Sequence, residues 1–318
     1  MYGYPALGIG LPLQTSITIG GKDVGEMRPA PLPSALHQAL RLLSLGSASI
    51  ESDIPQGLGF GSSAALCAAV ARAVATPTAT VAAEPTRQLW REAHLLERAF
   101  HGTPSGADTS LALHAGIALL TWSPRNHSAD RVPELPQLKP LRCGGLHLVA
   151  GAVPRRRSTA AEVARIARAY ADAEAGVVDT LSELGRLSER AAQAIGNGEN
   201  AGAALGALAT EAQRGLTELG LASPEQDVII RAGVDQGASG GKLSGAGGGG
   251  AFLLFCESEP VATRVFERLH GRTPVLLQLV ASGDHSDVRV AITRSEGLQR
   301  TLGRVRFQAT APTDRQTG

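Results

Sequence analysis

Aromatic residues make up only 3% of this 318-residue chain, so its core must rest mainly on Leu, Val, Ile and Ala. Hydrophobic residues at 43% still suffice for two lobes or one large α/β unit. Lysine is nearly absent: Lys22, Lys139 and Lys242 are the only three, and almost all positive charge is arginine. The formal net charge is +1, without the basic excess of a general nucleic-acid binder and without an aromatic platform for bases. The three cysteines, Cys67, Cys143 and Cys256, are odd in number and far apart, with no metal-ligand spacing. They point to a reduced, cytoplasmic protein. No run approaches the roughly 18 apolar residues of a membrane span. The first residues are not a basic start followed by an apolar segment, so neither a membrane partner nor a secretory signal is expected. No internal repeat is visible.

What the chain does have is glycine in particular places. Residues 53–65 read Asp-Ile-Pro-Gln-Gly-Leu-Gly-Phe-Gly-Ser-Ser-Ala-Ala. A short strand ends at Pro55, glycines alternate at 57, 59 and 61, and Ser62-Ser63 open an alanine-rich run. Such a loop lets backbone N–H groups close around a phosphate at a helix N-terminus. Glycine suits it because the backbone must approach the ligand closely and take positive φ. Ser62 and Ser63 can cap the helix, and a serine hydroxyl there can also ligate a metal ion. The segment is neither a Walker loop nor a dinucleotide fingerprint, and alone it reads equally well as a tight turn.

Around it, residues 6–19 read as a strand ending at Gly20-Gly21, and 34–45 as a helix capped by Ser34. Residues 47–54 read as a strand and Ser63 to Val74 as a helix. Residues 85–100 have the clearest amphipathic helix pattern, with Leu89, Ala93, Leu96 and Phe100 on one face and Gly102 as its stop. Residues 111–121 suit a strand, or a short helix then a strand. The Pro-rich stretch 123–140 reads as an exposed connection. The second half opens with a strand, Leu146–Val153, then helical patterns near 160–173, 176–194 and 200–218. A helix near 259–270 and strands near 275–281 and 287–293 follow. The expected fold is α+β in two lobes, 1–141 and 142–294, each with helices on a mixed sheet, followed by a frayed polar tail at 295–318.

Two further segments accompany the glycine loop. The first is His101-Gly102-Thr103-Pro104-Ser105-Gly106-Ala107-Asp108. The second is Lys242-Leu243-Ser244-Gly245-Ala246-Gly247-Gly248-Gly249-Gly250, leading into strand-like Ala251–Phe255. In this order the three segments resemble the GHMP small-molecule kinases, and the middle one looks like the mevalonate kinases among them. The resemblance covers roughly residues 2–290.

The resemblance implies a GHMP kinase fold binding ATP, Mg²⁺ and a small alcohol, mevalonate, between the lobes, in a homodimer. Its reaction would be phosphorylation of the 5-hydroxyl of mevalonate. Gly57, Leu58, Gly59, Phe60, Gly61, Ser62 and Ser63 would cradle the phosphates, helped by Gly245, Gly247 and Gly248 of the third motif. Ser63 and Glu97 would hold Mg²⁺. Glu97 otherwise reads as a solvated carboxylate, at a helix end where the macrodipole disfavours it by about 0.3–1 kcal/mol. Asp108 would accept the hydroxyl proton; its plain reading is an Asx-turn or cap after Ser105-Gly106. His101 would support its loop. Thr159 and Ala246 would face the substrate, as would Arg157, equally readable as part of a solvated cluster at a helix start. Arg155 and Arg156 read as solvated, and Lys242 as a charge at a strand entry. Pro154 stands two arginines further from Arg157-Ser158-Thr159 than the family's Pro-Arg-Ser-Thr has it. Another GHMP kinase activity, or a non-catalytic nucleotide-binding relative, is the alternative.

Residues 1–7, Met-Tyr-Gly-Tyr-Pro-Ala-Leu, match the end of the family's first segment. The Ala-Pro-Gly-Lys strand and Gly-Glu-His that usually precede it are not in this sequence. The resemblance therefore leaves two readings: a misplaced start, favoured by the beginning inside a recognisable segment, with about twenty further residues, one strand and its turn, in the natural protein, or a true short chain lacking that strand and part of its site. For the 318-residue chain it implies an exposed sheet edge and a rate lowered by about 10²–10³-fold, the usual cost of losing one electrostatic stabiliser.

Overall fold

A computed structural model describes residues 3–11, 13–19, 47–75, 87–101, 104–114, 116–122, 135–143, 146–197, 201–282, 287–292 and 307–310. The helix expected at 34–45 lies outside them. The first elements are β1 (Ala6–Ile9), β2 (Thr15–Ile19), β3 (Ser47–Ser52), α1 (Ser62–Ala75), α2 (Arg87–His101), α3 (Ala107–His114), β4 (Ile117–Thr121) and β5 (Gln137–Leu141). There follow β6 (Leu146–Val153), α4 (Thr159–Ala171), α5 (Ala175–Gly196), α6 (Ala201–Glu218), α7 (Pro224–Asp235), β7 (Gly240–Leu243) and β8 (Gly250–Cys256). The last are α8 (Glu259–Leu269), β9 (Val275–Ser282), β10 (Asp287–Ile292) and β11 (Phe307–Thr310). No described helix is long and apolar enough to cross a membrane.

The chain gathers into two compact units that interleave along the sequence. One holds Met1–Pro12, Gln56–Phe60 and Ala115–Arg300; the other holds Leu13–Pro55, Gly61–His114 and Thr301–Gly318. Residues 115–141 therefore group with the second half of the chain, because β4 pairs with β1 and β5, and α5 packs on these strands.

The larger unit is built on β6. Its residues are buried apart from His147, and the run Leu148–Val153, free of polar side chains, belongs at the centre of a sheet. The strand order is β10-β9-β6-β8-β7. Helices α7 and α8 close over this sheet around Val149, Ile229, Ile230, Phe252, Leu254 and Phe266. Burying each such side chain contributes about 1.5–3 kcal/mol. A second cluster, Ile166, Leu216, Leu219, Leu221 and Leu243, joins α4 and α6 to β7.

In the smaller unit the strand order is β11-β3-β2. Its helices α1, α2 and α3 share Ala68, Ala71, Leu89, Ala93 and Leu113, with Trp90 and Leu96 packed alongside. The small alanines let α1 and α2 approach closely. Arg72 Nη2 donates to the Leu113 carbonyl at 3.1 Å and ties α1 to the end of α3.

Several elements differ from expectation. Every described strand pair is antiparallel, so the sheets are not mixed among the described residues: β6 sits between β8 and β9, and both run opposite to it. The single strand read over 6–19 is two strands, β1 and β2, in different units. Part of the expected linker is the edge strand β5, where Pro140 lies opposite Ala118 and its missing N–H is tolerated. Within the expected frayed tail, Phe307–Thr310 pairs with β3 as an edge strand. Helix α7 was not anticipated. It begins with a full capping box, Ser223 and Gln226, with Pro224 in its first turn.

Gln226 also fastens α7 to the sheet. It is wholly buried, its Nε2 donates to the Ala251 carbonyl at 3.1 Å, and its Oε1 accepts from Ser223 N at 3.2 Å. Gln226→Ala is expected to lower unfolding free energy by about 1–3 kcal/mol through these lost partners. Urea unfolding measures it, and an unchanged midpoint would contradict the assignment.

Candidate active site

The glycine loop follows β3, and its three alternate glycines all have positive φ: 72° at Gly57, 92° at Gly59 and 76° at Gly61. Side chains rarely adopt that geometry, which explains the residue choice. Gly57 and Gly59 are exposed, while Leu58, Phe60, Ser62 and Ser63 are half-buried. Among the described residues, the N–H groups of Leu58, Gly59 and Phe60 meet no acceptor in hydrogen-bonding geometry. Helix α1 then starts at Ser62, with Ala65 N donating to the Gly61 carbonyl at 3.0 Å. Its first turn carries no acidic residue, so nothing of its own offsets the positive end of the helix dipole.

In the larger unit the third motif and the arginine segment are locked together. The register pairs Val153 with Gly250, so Pro154-Arg155 leaves β6 just where Gly249-Gly250 enters β8. Gly249, at φ 98°, lies so close that a Cβ would collide with the Pro154 carbonyl and come within 2.9 Å of Arg155 Cα. Gly248 is used up in this packing. Its N–H donates to the Leu221 carbonyl at 2.8 Å, and its carbonyl accepts from Arg156 N at 2.9 Å and Arg157 N at 3.3 Å. Expected among the phosphate-binding glycines, it has its N–H already taken by Leu221. Gly245 is exposed in the β7–β8 turn with φ 83°, Ala246 beside it is half-buried, and Gly247 has φ 82°.

The three arginines divide differently from the sequence reading. Arg157, expected at the substrate, bonds to Glu162 through Nε at 2.9 Å and to the Gly220 carbonyl through Nη2 at 2.8 Å. Glu162 is buried and also takes Arg165 at 3.1 Å, so Arg157 serves this network. Arg156 pairs with Glu225 at the surface. Arg155, read as solvated, is the one that meets the glycine loop. Its Nε donates to the Gly57 carbonyl at 3.0 Å and its Nη1 to Thr159 Oγ1 at 2.9 Å. Thr159 opens α4, capped by Ser158, whose hydroxyl accepts from Ala161 N at 3.2 Å. Lys242 donates from Nζ to the Leu243 carbonyl at 2.6 Å, and burial lowers its ammonium to about 8.

The smaller unit holds the carboxylates. Glu97 lies in the last turns of α2 and is only 2% exposed. Asp108 is exposed in the first turn of α3, where a negative charge suits the helix dipole. Burial, then the charge of Asp108, pushes the Glu97 carboxyl up to about 8, against a hydrogen bond from Thr109. Glu97 Oε2 is buried with no hydrogen-bond partner among the described residues. A buried carboxylate oxygen without a donor suits a hard cation. Among the described residues no group of three or more His, Cys, Asp or Glu side chains could hold a metal, so further oxygens must come from elsewhere, such as a serine or a phosphate. The His101 side chain, Gly102 and Thr103 lie outside the described residues.

Two family models match the chain: GHMP kinases N terminal domain over residues 34–116, and GHMP kinases C terminal over residues 180–274. Together they cover more than half of it. The chain belongs to the GHMP kinase family. This GHMP kinase is 27% identical over 242 residues to a mevalonate kinase of Pyrococcus abyssi, covering 74% of this chain and 67% of that one. It is 31% identical over 215 residues to a mevalonate kinase of Aeropyrum pernix, covering 66% and 61%. The structure of L. major mevalonate kinase in complex with R-mevalonate superposes with a TM-score of 0.67 at 22% identity, covering 92% of this chain and 90% of that one. Streptococcus pneumoniae phosphomevalonate kinase, in complex with phosphomevalonate and AMPPNP, gives 0.62 at 14% identity, covering 84% and 90%. Both structures share the fold.

The Glu97 environment has a pH consequence. Between about pH 4.5 and 8 the unfolded chain sheds this proton while the folded GHMP kinase keeps it. Its contribution to stability is thus fully present below 4.5 and is lost as pH rises through about 8. In metal-free buffer, Glu97→Gln should raise the melting temperature relative to the parent most at alkaline pH, and much less near pH 5. A pH-independent difference would contradict this.

Proposed function

We propose that this GHMP kinase transfers the γ-phosphoryl group of ATP to the 5-hydroxyl of mevalonate, giving 5-phosphomevalonate and ADP. The observation that carries the reading is Asp108. It closes the segment His101–Asp108 that resembles the mevalonate kinases, it opens α3 with its carboxylate exposed, and its charge is felt by buried Glu97. Both curated relatives described above bear the mevalonate kinase name.

In the transfer, the hydroxyl oxygen bonds to the γ-phosphorus as the bond to the β–γ bridging oxygen breaks and ADP leaves. Asp108 orients the hydroxyl and accepts its proton. The N–H groups of Leu58, Gly59 and Phe60, with the N-terminus of α1, hold phosphate oxygens. Ser63 Oγ and the Glu97 carboxylate are the oxygens that would hold Mg²⁺, which neutralises charge on the phosphates when bound. Thr159 Oγ1, already accepting from Arg155, keeps its own proton to donate to a substrate or phosphate oxygen. Ala246, half-buried in the β7–β8 turn, would face the substrate.

The test is ADP release with Mg-ATP and a panel of alcohols: mevalonate, phosphomevalonate, homoserine and galactose. Mevalonate should be preferred, and Asp108→Ala should lower kcat by about 10²–10⁴-fold while nucleotide binding is retained. Preference for another alcohol, or an unaffected Asp108→Ala rate, would overturn the reading.

A further inference from the structure

Arg155, read from the sequence as solvated, bonds to both glycine segments. Its Nε donates to the Gly57 carbonyl at 3.0 Å, and its Nη1 to Thr159 Oγ1 at 2.9 Å and to the Gly247 carbonyl at 3.5 Å. One planar guanidinium thus ties the first glycine loop, the third motif and the start of α4 together. Its Nη2 lies where side chains would otherwise be: a Cβ at Gly59 would fall 2.7 Å from it, and one at Gly250 2.9 Å. Both glycines have positive φ, and a side chain at either would also crowd the guanidinium.

We infer that Arg155 is a positioning residue that sets the phosphate-binding conformation of the first glycine loop. The Gly57 carbonyl and the Leu58 N–H belong to one planar trans peptide, and they point in opposite directions. Holding the carbonyl on the guanidinium turns the Leu58 N–H away from Arg155 and leaves it free to donate. Gly57, Gly59 and Gly61 all have positive φ, so without an anchor this loop would sample many conformations and pay for ordering at each binding event. A lysine carries the charge but lacks the rigid fork that reaches three acceptors at once. The ligand class is the polyphosphate of a nucleotide.

The inference rests on the reading of the loop as a phosphate cradle, and not on the identity of the alcohol. Its test is titration calorimetry of the full chain with Mg-ATP and with inorganic tripolyphosphate, comparing Arg155→Ala, Arg155→Lys and, as a control, Arg156→Ala. Arg155→Ala should weaken both ligands by about 10- to 100-fold, the worth of a charge-assisted bond. Arg155→Lys should not restore them, added methylguanidinium should partly rescue Arg155→Ala, and Arg156→Ala should bind as the parent does. A merely structural role would lower the melting temperature without rescue. Unchanged affinity in Arg155→Ala, full recovery with lysine, or a parent chain that binds neither ligand would overturn the inference. A parent that binds nucleotide through Arg155 but leaves mevalonate untouched would sustain it while sinking the substrate assignment.

Discussion

The pairing register of β6 with β8 is the constraint on which the larger unit depends. Val153 opposite Gly250 sets the exit of one strand against the entry of the other. From that alignment Pro154 packs on Gly249, Arg155 reaches the glycine loop, and Arg156 and Arg157 close on the Gly248 carbonyl. A slip of one residue in either strand would send that strand's side chains to the opposite face. Because β6 and β8 are buried nearly throughout, the hydrophobic core opposes that slip strongly.

Around this register, polar side chains carry the fine alignment. Gln226 bonds the first turn of α7 to β8, and Gln213 of α6 accepts from Leu243 N at 2.8 Å while donating to Asp227 Oδ1 at 3.0 Å. Glu162, buried between Arg157 and Arg165, holds the start of α4. Each is a buried polar group with its partners in place, which is the condition for such groups to stabilise a fold. Glu97 departs from that rule, being buried beside another carboxylate with Oε2 unpartnered, and so does His94 on the same helix, whose two ring nitrogens are buried without a partner among the described residues. Departures of this kind are concentrated at functional sites.

Much of this was legible in the chain. The alternate glycines at 57, 59 and 61 announced positive φ, and the apolar periodicity of α2, α4, α5 and α6 placed those helices within a few residues. Three misses have physical causes. Pro140 made β5 look like a linker, although an edge strand tolerates proline. The Ser223-Pro224 start and Gln226 of α7 formed a readable capping box, overlooked beside the glycine-rich motif that follows. The division of labour among Arg155, Arg156 and Arg157 was not readable at all. Three identical side chains in a row differ only through distant partners, Gly57, Glu225 and Glu162, that the fold supplies.

The central claim is that this chain moves a phosphoryl group from ATP to a primary alcohol of mevalonate. Phosphorus NMR of the chain incubated with Mg-ATP and mevalonate reads that bond directly. The account predicts a new phosphate-monoester resonance, coupled to a methylene, growing as ATP is converted to ADP. Conversion to inorganic phosphate alone, or no conversion of ATP at all, would contradict it.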